Sequence, residues 1–262
     1  LTTLLEPTEG TARLNGYDIS RQSYDAKRQF GMVPEESNIY TGLSAKANLL
    51  FAGQLYLVPR RERERRAEEL LTRFGLDEKK DVKTEYYSKG MRRRVAIAMA
   101  LMHRPEILFL DEPTTGLDVQ SRRLILEIIR EMNAAGTTIF LTTHQIEEAS
   151  QICDRVAIIN HGYIAAIASP ERLKQTVKSV QSVELAVEPN DEHTRARLGQ
   201  LPYVTKAVKS GDKIRLYTDD PSALLPQIIH HAEAHGLRVI SLNTLGPSLE
   251  DIFLQITGGE IG

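Results

Sequence analysis

The run Ile107-Leu108-Phe109-Leu110 followed by Asp111-Glu112-Pro113 most constrains what this chain can fold into. An uninterrupted apolar segment of that length, closed by a turn, suits a strand buried on both faces of a parallel sheet. Such a strand holds its last side chains at the carboxyl edge, where α/β folds bind ligands. One carboxylate there can hold Mg²⁺ while its neighbour polarises a water towards a nucleoside triphosphate. Taken alone, the run is equally compatible with a core strand that ends in an acidic turn.

The flanking segments favour the first reading. Upstream, Tyr87-Ser88-Lys89-Gly90-Met91 precedes a stretch, Arg92 to His103, whose apolar residues recur with helical spacing. Ser88 is a good N-cap, and a helix beginning there offers free N–H groups and partial positive charge to an anion. Downstream, Thr114-Thr115-Gly116-Leu117-Asp118 forms a polar turn before a helix expected over Ser121 to Ala134. A second β-rich run, Thr137 to Thr143, ends in His144. That places a titratable imidazole at the same kind of strand tip as the Asp-Glu pair.

This order of segments resembles the ATP-binding subunit of an ABC transporter. Tyr87-Ser88-Lys89-Gly90-Met91 is similar to the signature motif, in the form common among drug, antibiotic and polysaccharide exporters. The resemblance covers about Leu1 to Thr176 and includes Ser169-Pro170-Glu171-Arg172-Leu173 near its end. It implies ATP and Mg²⁺ as cofactors. Asp111 would orient the metal, with Glu35 as a further ligand, and Glu112 would act on the attacking water. His144 would be the switch histidine and Asp118 the D-loop aspartate. Ser88, Lys89 and Gly90 would approach the γ-phosphate held by a second ATP-binding subunit. A separate polytopic membrane permease would carry the substrate, its coupling helix received near Glu35 to Thr41. Phe51, Leu55, Tyr56 and Leu57 either line that groove or pack the lobe core.

Two departures from the family pattern stand out. Glu35 falls where the family has a glutamine, which adds negative charge near the phosphates. No G-x-x-x-x-G-K-[ST] loop, the usual cradle for the phosphates, occurs in the sequence. Yet Leu4-Leu5-Glu6-Pro7-Thr8-Glu9-Gly10 resembles the segment that family members carry immediately after that loop. The sequence therefore reads as a fragment cut just behind the loop.

The expected fold is α/β: a P-loop NTPase-type parallel sheet lacking its amino-terminal strands and phosphate loop, with a helical subdomain over about 44–103. Helices are expected over Ala45 to Tyr56 and Arg63 to Phe74, and the ATP-binding domain over 1–176. Residues 177–262 are expected to form a small α+β domain. Strand patterns at Ser182 to Val187, Val204 to Lys209, Lys213 to Tyr217 and Arg238 to Leu242 enclose helical stretches at Asp191 to Leu198 and Ser222 to His235. That β-α-β-β-α-β order is ferredoxin-like, and Pro226 offers the second helix an alternative, later start than Ser222.

Bulk properties narrow the function. With 262 residues, 41% apolar and 26% charged, the composition is that of an ordinary globular chain. A formal charge of −2 argues against a nucleic-acid binder that neutralises phosphates. The single cysteine, Cys153, rules out an intrachain disulfide and suits a reducing cytoplasm. No run approaches the ~18 apolar residues of a membrane span, so attachment to the cytoplasmic face of the membrane is expected through the permease. His231 and His235 have helical i, i+4 spacing, but a solvent-facing helix explains them better than a metal. Two alternatives remain open at this point: a non-transport ABC ATPase of DNA repair or translation, and a non-catalytic fragment.

Overall fold

The computed structural model describes residues 2–36, 38–176, 181–246 and 249–257. They form two compact units, Leu1–His144 and Gln145–Gly262. The expected junction after Thr176 borders Val177–Val180, which lie outside the described residues.

The first unit opens with a small antiparallel hairpin, β1 (Arg13–Leu14) and β2 (Tyr17–Asp18), then α1 (Ser23–Arg28) and β3 (Phe30–Val33). A helical lobe comes next: α2 (Ala45–Leu55), α3 (Arg60–Arg73) and α4 (Lys89–Ala100). The chain then returns through β4 (Ile107–Asp111), α5 (Val119–Ala134) and β5 (Thr138–Thr142). Strands β3, β4 and β5 are parallel neighbours in that order, with Leu110 opposite Val33 and Asp111 opposite Thr142. Leu108 and Leu110 are fully buried, and Phe109 stacks edge-on to Phe30 with ring centres 5.3 Å apart. Burying each such side chain contributes roughly 1.5–3 kcal/mol. The outer edge of β5 pairs with no strand among the described residues, and Phe140 on it is exposed.

The lobe packs around Leu49, Leu71, Phe74, Leu76, Ile97 and Met102, all fully buried. Helix α3 begins three residues before its expected start, after Pro59, with Arg60 paired to Glu64 and Arg65 to Glu69. The mixed charges there do form a solvated, i,i+4-paired face. Helix α4 starts at its Ser88 cap and stops at Ala100, short of the expected His103. Pro105 disfavours helical geometry at Arg104, whose φ is 53°.

The second unit carries α6 (Ile146–Ile152), the hairpin β6 (Val156–Asn160) and β7 (Tyr163–Ala168), and α7 (Pro170–Thr176). It continues with β8 (Gln181–Glu188), α8 (Glu192–Gly199), β9 (Lys206–Ser210), β10 (Lys213–Thr218), α9 (Pro221–His235), β11 (Arg238–Leu245) and α10 (Leu249–Thr257). The antiparallel order β11-β8-β10-β9 is the ferredoxin-like one. Leu198, Leu224 and Ile228 cover one face by packing on Val183, Leu185, Ile214 and Leu216. Helix α10 is tied to the sheet by Arg215, which donates to Asp251 at 3.1 Å and to Ser182 Oγ at 2.9 Å.

Pro226 does not open α9. The helix starts at Pro221, where Asp220 accepts the Ala223 N–H at 3.0 Å, and it carries Pro226 within its length. A side-chain cap plus a proline at the first helical position fixed the start more strongly than the later ring. His231 and His235 stack on each other with ring centres 4.1 Å apart, and His235 Nδ1 bonds the His231 carbonyl.

Gly31 marks where β3 meets α4. A β-carbon there would lie 2.3 Å from the Ala100 carbonyl oxygen, which is backbone and cannot swing aside. Gly31→Ala should therefore destabilise the protein by about 1–3 kcal/mol, read from its denaturant midpoint. An unchanged midpoint would contradict this packing.

Candidate functional site

The three parallel strands release their chain ends at one edge. β3 leads into Pro34-Glu35, β4 into Glu112-Pro113, and β5 into Thr143-His144. Asp111 ends β4 with its side chain exposed, and the Thr142 hydroxyl donates to its Oδ1. Glu112 then turns out of the strand with φ 45°, a left-handed conformation uncommon for a non-glycine residue. Its N–H still bonds the Thr142 carbonyl at 3.0 Å, so the ladder runs one step past the strand.

That turn folds the Glu112 carboxylate into a ready set of donors. Oε1 accepts the His144 backbone N–H at 2.9 Å and lies 2.9 Å from His144 Nδ1. Oε2 accepts the Thr115 hydroxyl at 2.8 Å. The carboxylate is mostly buried, 17% exposed, while the His144 side chain is 70% exposed. Burial alone would raise the carboxyl's pKa, but hydrogen bonds from His144 and Thr115 outweigh it and hold the group below its ordinary value. Glu112 is thus an ionised carboxylate in direct contact with an accessible imidazole, beside a second carboxylate at the strand tip.

The other expected residues gather on the start of α4. The Ser88 hydroxyl accepts the Met91 N–H at 3.2 Å and caps the helix. Gly90 is buried against α5, where any β-carbon would lie 2.3 Å from Ser121 Oγ. The Lys89 ammonium occupies the space that a β-carbon on Gly116 would need. Asp118 caps α5 through the Ser121 N–H at 2.8 Å and bonds the Ser121 hydroxyl at 2.7 Å. Those contacts, the backbone N–H first, lower its pKa. Ser88, Lys89, Gly90 and Asp118 therefore share one corner, and Asp111, Glu112 and His144 share the sheet edge.

Glu35 sits just past the end of β3. Its backbone carbonyl is held at 3.1 Å by Arg93 Nη1. The same guanidinium, only 3% exposed as a residue, also donates to the carbonyls of Pro34, Asp111 and Pro113. Sequence reasoning missed Arg93, Thr115 and Thr142. Nothing in an Arg92-Arg93-Arg94 run distinguishes the buried member, and the threonines look like ordinary strand and turn residues.

Around the expected coupling groove, Leu55 and Leu57 are exposed, and Tyr40 meets Phe51 edge-on at 4.9 Å. Tyr56 instead stacks on His103 at 3.6 Å. Cys153 is a free, half-buried thiol whose pKa burial pushes up, which suits an inert structural residue. Among the described residues no three His, Cys, Asp or Glu side chains converge to hold a metal unaided, and no helix is long and apolar enough to cross a membrane. Mg²⁺ needs no such cage, since it is commonly held by one or two carboxylates together with substrate phosphates.

Comparison with known proteins decides the family. Residues 1–115 match the ABC transporter family model. The chain is 35% identical to the linearmycin resistance ATP-binding protein of Bacillus subtilis (strain 168), over 97% of this chain and 83% of that protein. The chain belongs to the ABC transporter family. As an ABC ATP-binding chain it is also 35% identical to the daunorubicin/doxorubicin resistance ATP-binding protein of Streptomyces peucetius, covering 98% and 78%. A Nod factor export ATP-binding protein of Rhizobium sp. (strain N33) is 35% identical, covering 97% and 81%. Among solved structures, an ATP-binding subunit of an ABC transporter superimposes with a TM-score of 0.60 at 31% identity, over 66% of this chain and 72% of that one.

The donor set around Glu112 has a pH signature. A depressed carboxyl contributes stability that is fully present above its ordinary value and is lost as pH falls through the lowered one. Thr115→Val removes one donor, so Glu112 should titrate at higher pH and the acid unfolding limb should shift upward. A carboxyl carbon NMR titration checks this; an unchanged Glu112 titration would contradict the geometry.

Proposed function

We propose that this chain works as the ATP-binding and ATP-hydrolysing subunit of an ABC exporter, through the edge formed by Asp111, Glu112 and His144. The observation that carries the reading is the Glu112 carboxylate, kept ionised between Thr115 and His144 beside the exposed Asp111. Bound Mg·ATP supplies the phosphoryl group and the charge that neutralises it during transfer. Asp111 holds the metal side, with Glu35 alongside. Glu112 orients the attacking water and accepts its proton; it is the general base. His144, in contact with Glu112 and largely exposed, passes the state of the γ-phosphate to that base.

Two such subunits pair, so that Ser88, Lys89 and Gly90 of one reach the nucleotide held by the other, and Asp118 sits at the seam. The ATP-binding domain spans 1–176, with its helical subdomain over about 44–103. Exposed Leu55 and Leu57, with Tyr40 and Phe51, offer an apolar surface to the coupling helix of a membrane permease. That partner holds the protein at the cytoplasmic face and forms the export pathway. The relatives are named for linearmycin resistance, daunorubicin/doxorubicin resistance and Nod factor export. The ATPase subunit is the shared part, and cargo choice resides in the permease. The residues 177–262 are an accessory domain.

Glu112→Gln removes the base while keeping the shape. In the protein assembled with its permease it should lower steady-state ATP turnover by about 10²-fold or more and accumulate an ATP-bound dimer on gel filtration. Undiminished turnover would refute the assignment.

A further inference from the structure

Arg93 lies on α4, one turn beyond the Ser88 cap, and its guanidinium is buried where three segments meet. Nε donates to the Pro113 carbonyl at 3.1 Å, Nη1 to the carbonyls of Pro34 and Glu35, and Nη2 to the Asp111 carbonyl. Every one of these partners is backbone. A buried guanidinium is costly unless its donors are satisfied and its charge is balanced. The carbonyls satisfy its donors but carry no net charge to balance it. Burial prevails and lowers its pKa, with Asp111, Glu35 and Glu112 acting in the opposite sense.

This bears on Glu35, which stands where the family resemblance leads to a glutamine. A glutamate at position 35 adds a negative charge to an edge that already holds Asp111 and Glu112. The Arg93 guanidinium, bonded to the Pro34 and Glu35 carbonyls, fixes the loop that carries this residue.

We propose that Arg93 is a positioning residue for ATP hydrolysis: it locks the Glu35 loop to the end of the Asp111-Glu112 strand from within the signature helix. The proposal rests on the functional reading given above. By that reading Ser88 and Asp111 serve different nucleotides, so Arg93 also links the two ATP sites through one rigid side chain. A lysine cannot substitute fully, because its ammonium is a point charge with three donors and lacks the planar fork.

The test uses the protein assembled with its permease and has two readouts. The first is hydrogen exchange without nucleotide. Arg93→Gln should speed exchange at Glu35, Glu36, Thr114 and Thr115 while α2 and α3 keep their protection; a uniform increase, or none, overturns the proposal. The second is kcat. Arg93→Gln should lower kcat by about tenfold to a hundredfold, and an unreduced kcat overturns the positioning role. Should Arg93→Gln fail to fold, Arg93→Lys serves instead: it should keep the magnesium dependence of the unaltered protein with a reduced kcat, and an unreduced kcat overturns the fork. Glu112→Gln is run in parallel. If it keeps full turnover, the functional reading itself fails; if it loses turnover while Arg93 variants are silent, only the role of Arg93 fails.

Discussion

The parallel pairing of β4 with β3 on one side and β5 on the other fixes the geometry of the candidate site. Leu110 sits opposite Val33 and Asp111 opposite Thr142. Because strand side chains alternate, a slip of one residue would turn Asp111 towards the interior and an apolar side chain towards the edge. Moving the Asp111 carboxylate inward would bury an unpaired charge, and that cost opposes the slip. Register places the carboxylate beside the Thr142 hydroxyl and lets the next residue leave the sheet. Glu112 does so in a left-handed backbone conformation, which costs on the order of 1–3 kcal/mol. Its carboxylate then collects charge-assisted hydrogen bonds from His144 and Thr115, each contributing about 1.5–3 kcal/mol. The strained turn and the donor set are one device.

Charge is the second constraint. Asp111, Glu112 and Glu35 all leave the sheet at one edge, and cations answer them at different depths. Arg93 lies beneath, held by backbone carbonyls. Lys89 lies at the corner near Gly116, where α4 and α5 meet. Gly90 packs closely on Ser121, which also bonds Asp118, so the starts of α4 and α5 lie against each other.

Much of this was legible from residues alone, and for a physical reason. β4, the Ser88 cap, the Asp111-Glu112 pair and His144 are local signals: an apolar run, a cap and strand tips. The hairpin around Ser210-Gly211-Asp212 and the ferredoxin-like order arise from equally local patterns. Arg93 was not legible, because its role depends on carbonyls at positions 34 and 113 that only the tertiary fold brings together. Its neighbours show how little the run itself reveals: Arg92 reaches the Thr84 and Glu85 carbonyls and Arg94 the Phe74 carbonyl. The expected start of α9 at Ser222 falls one residue inside the observed one, and the later start that Pro226 offered does not occur, because Asp220 and Pro221 fix the opening. The capping role of Asp118 within its own helix was hidden behind its family role.

The central claim is that Glu112, held at the edge of this sheet, is the base for ATP hydrolysis, with Asp111 on the metal side. The most direct measurement is a structure of the permease-bound protein with Mg²⁺ and a non-hydrolysable ATP analogue. The account requires the Glu112 carboxylate within hydrogen-bonding distance of a water in line with the γ-phosphate, His144 reaching that phosphate, and Asp111 facing the metal. A nucleotide bound elsewhere, or a γ-phosphate approached by some other carboxylate while Glu112 stays turned away, would contradict it.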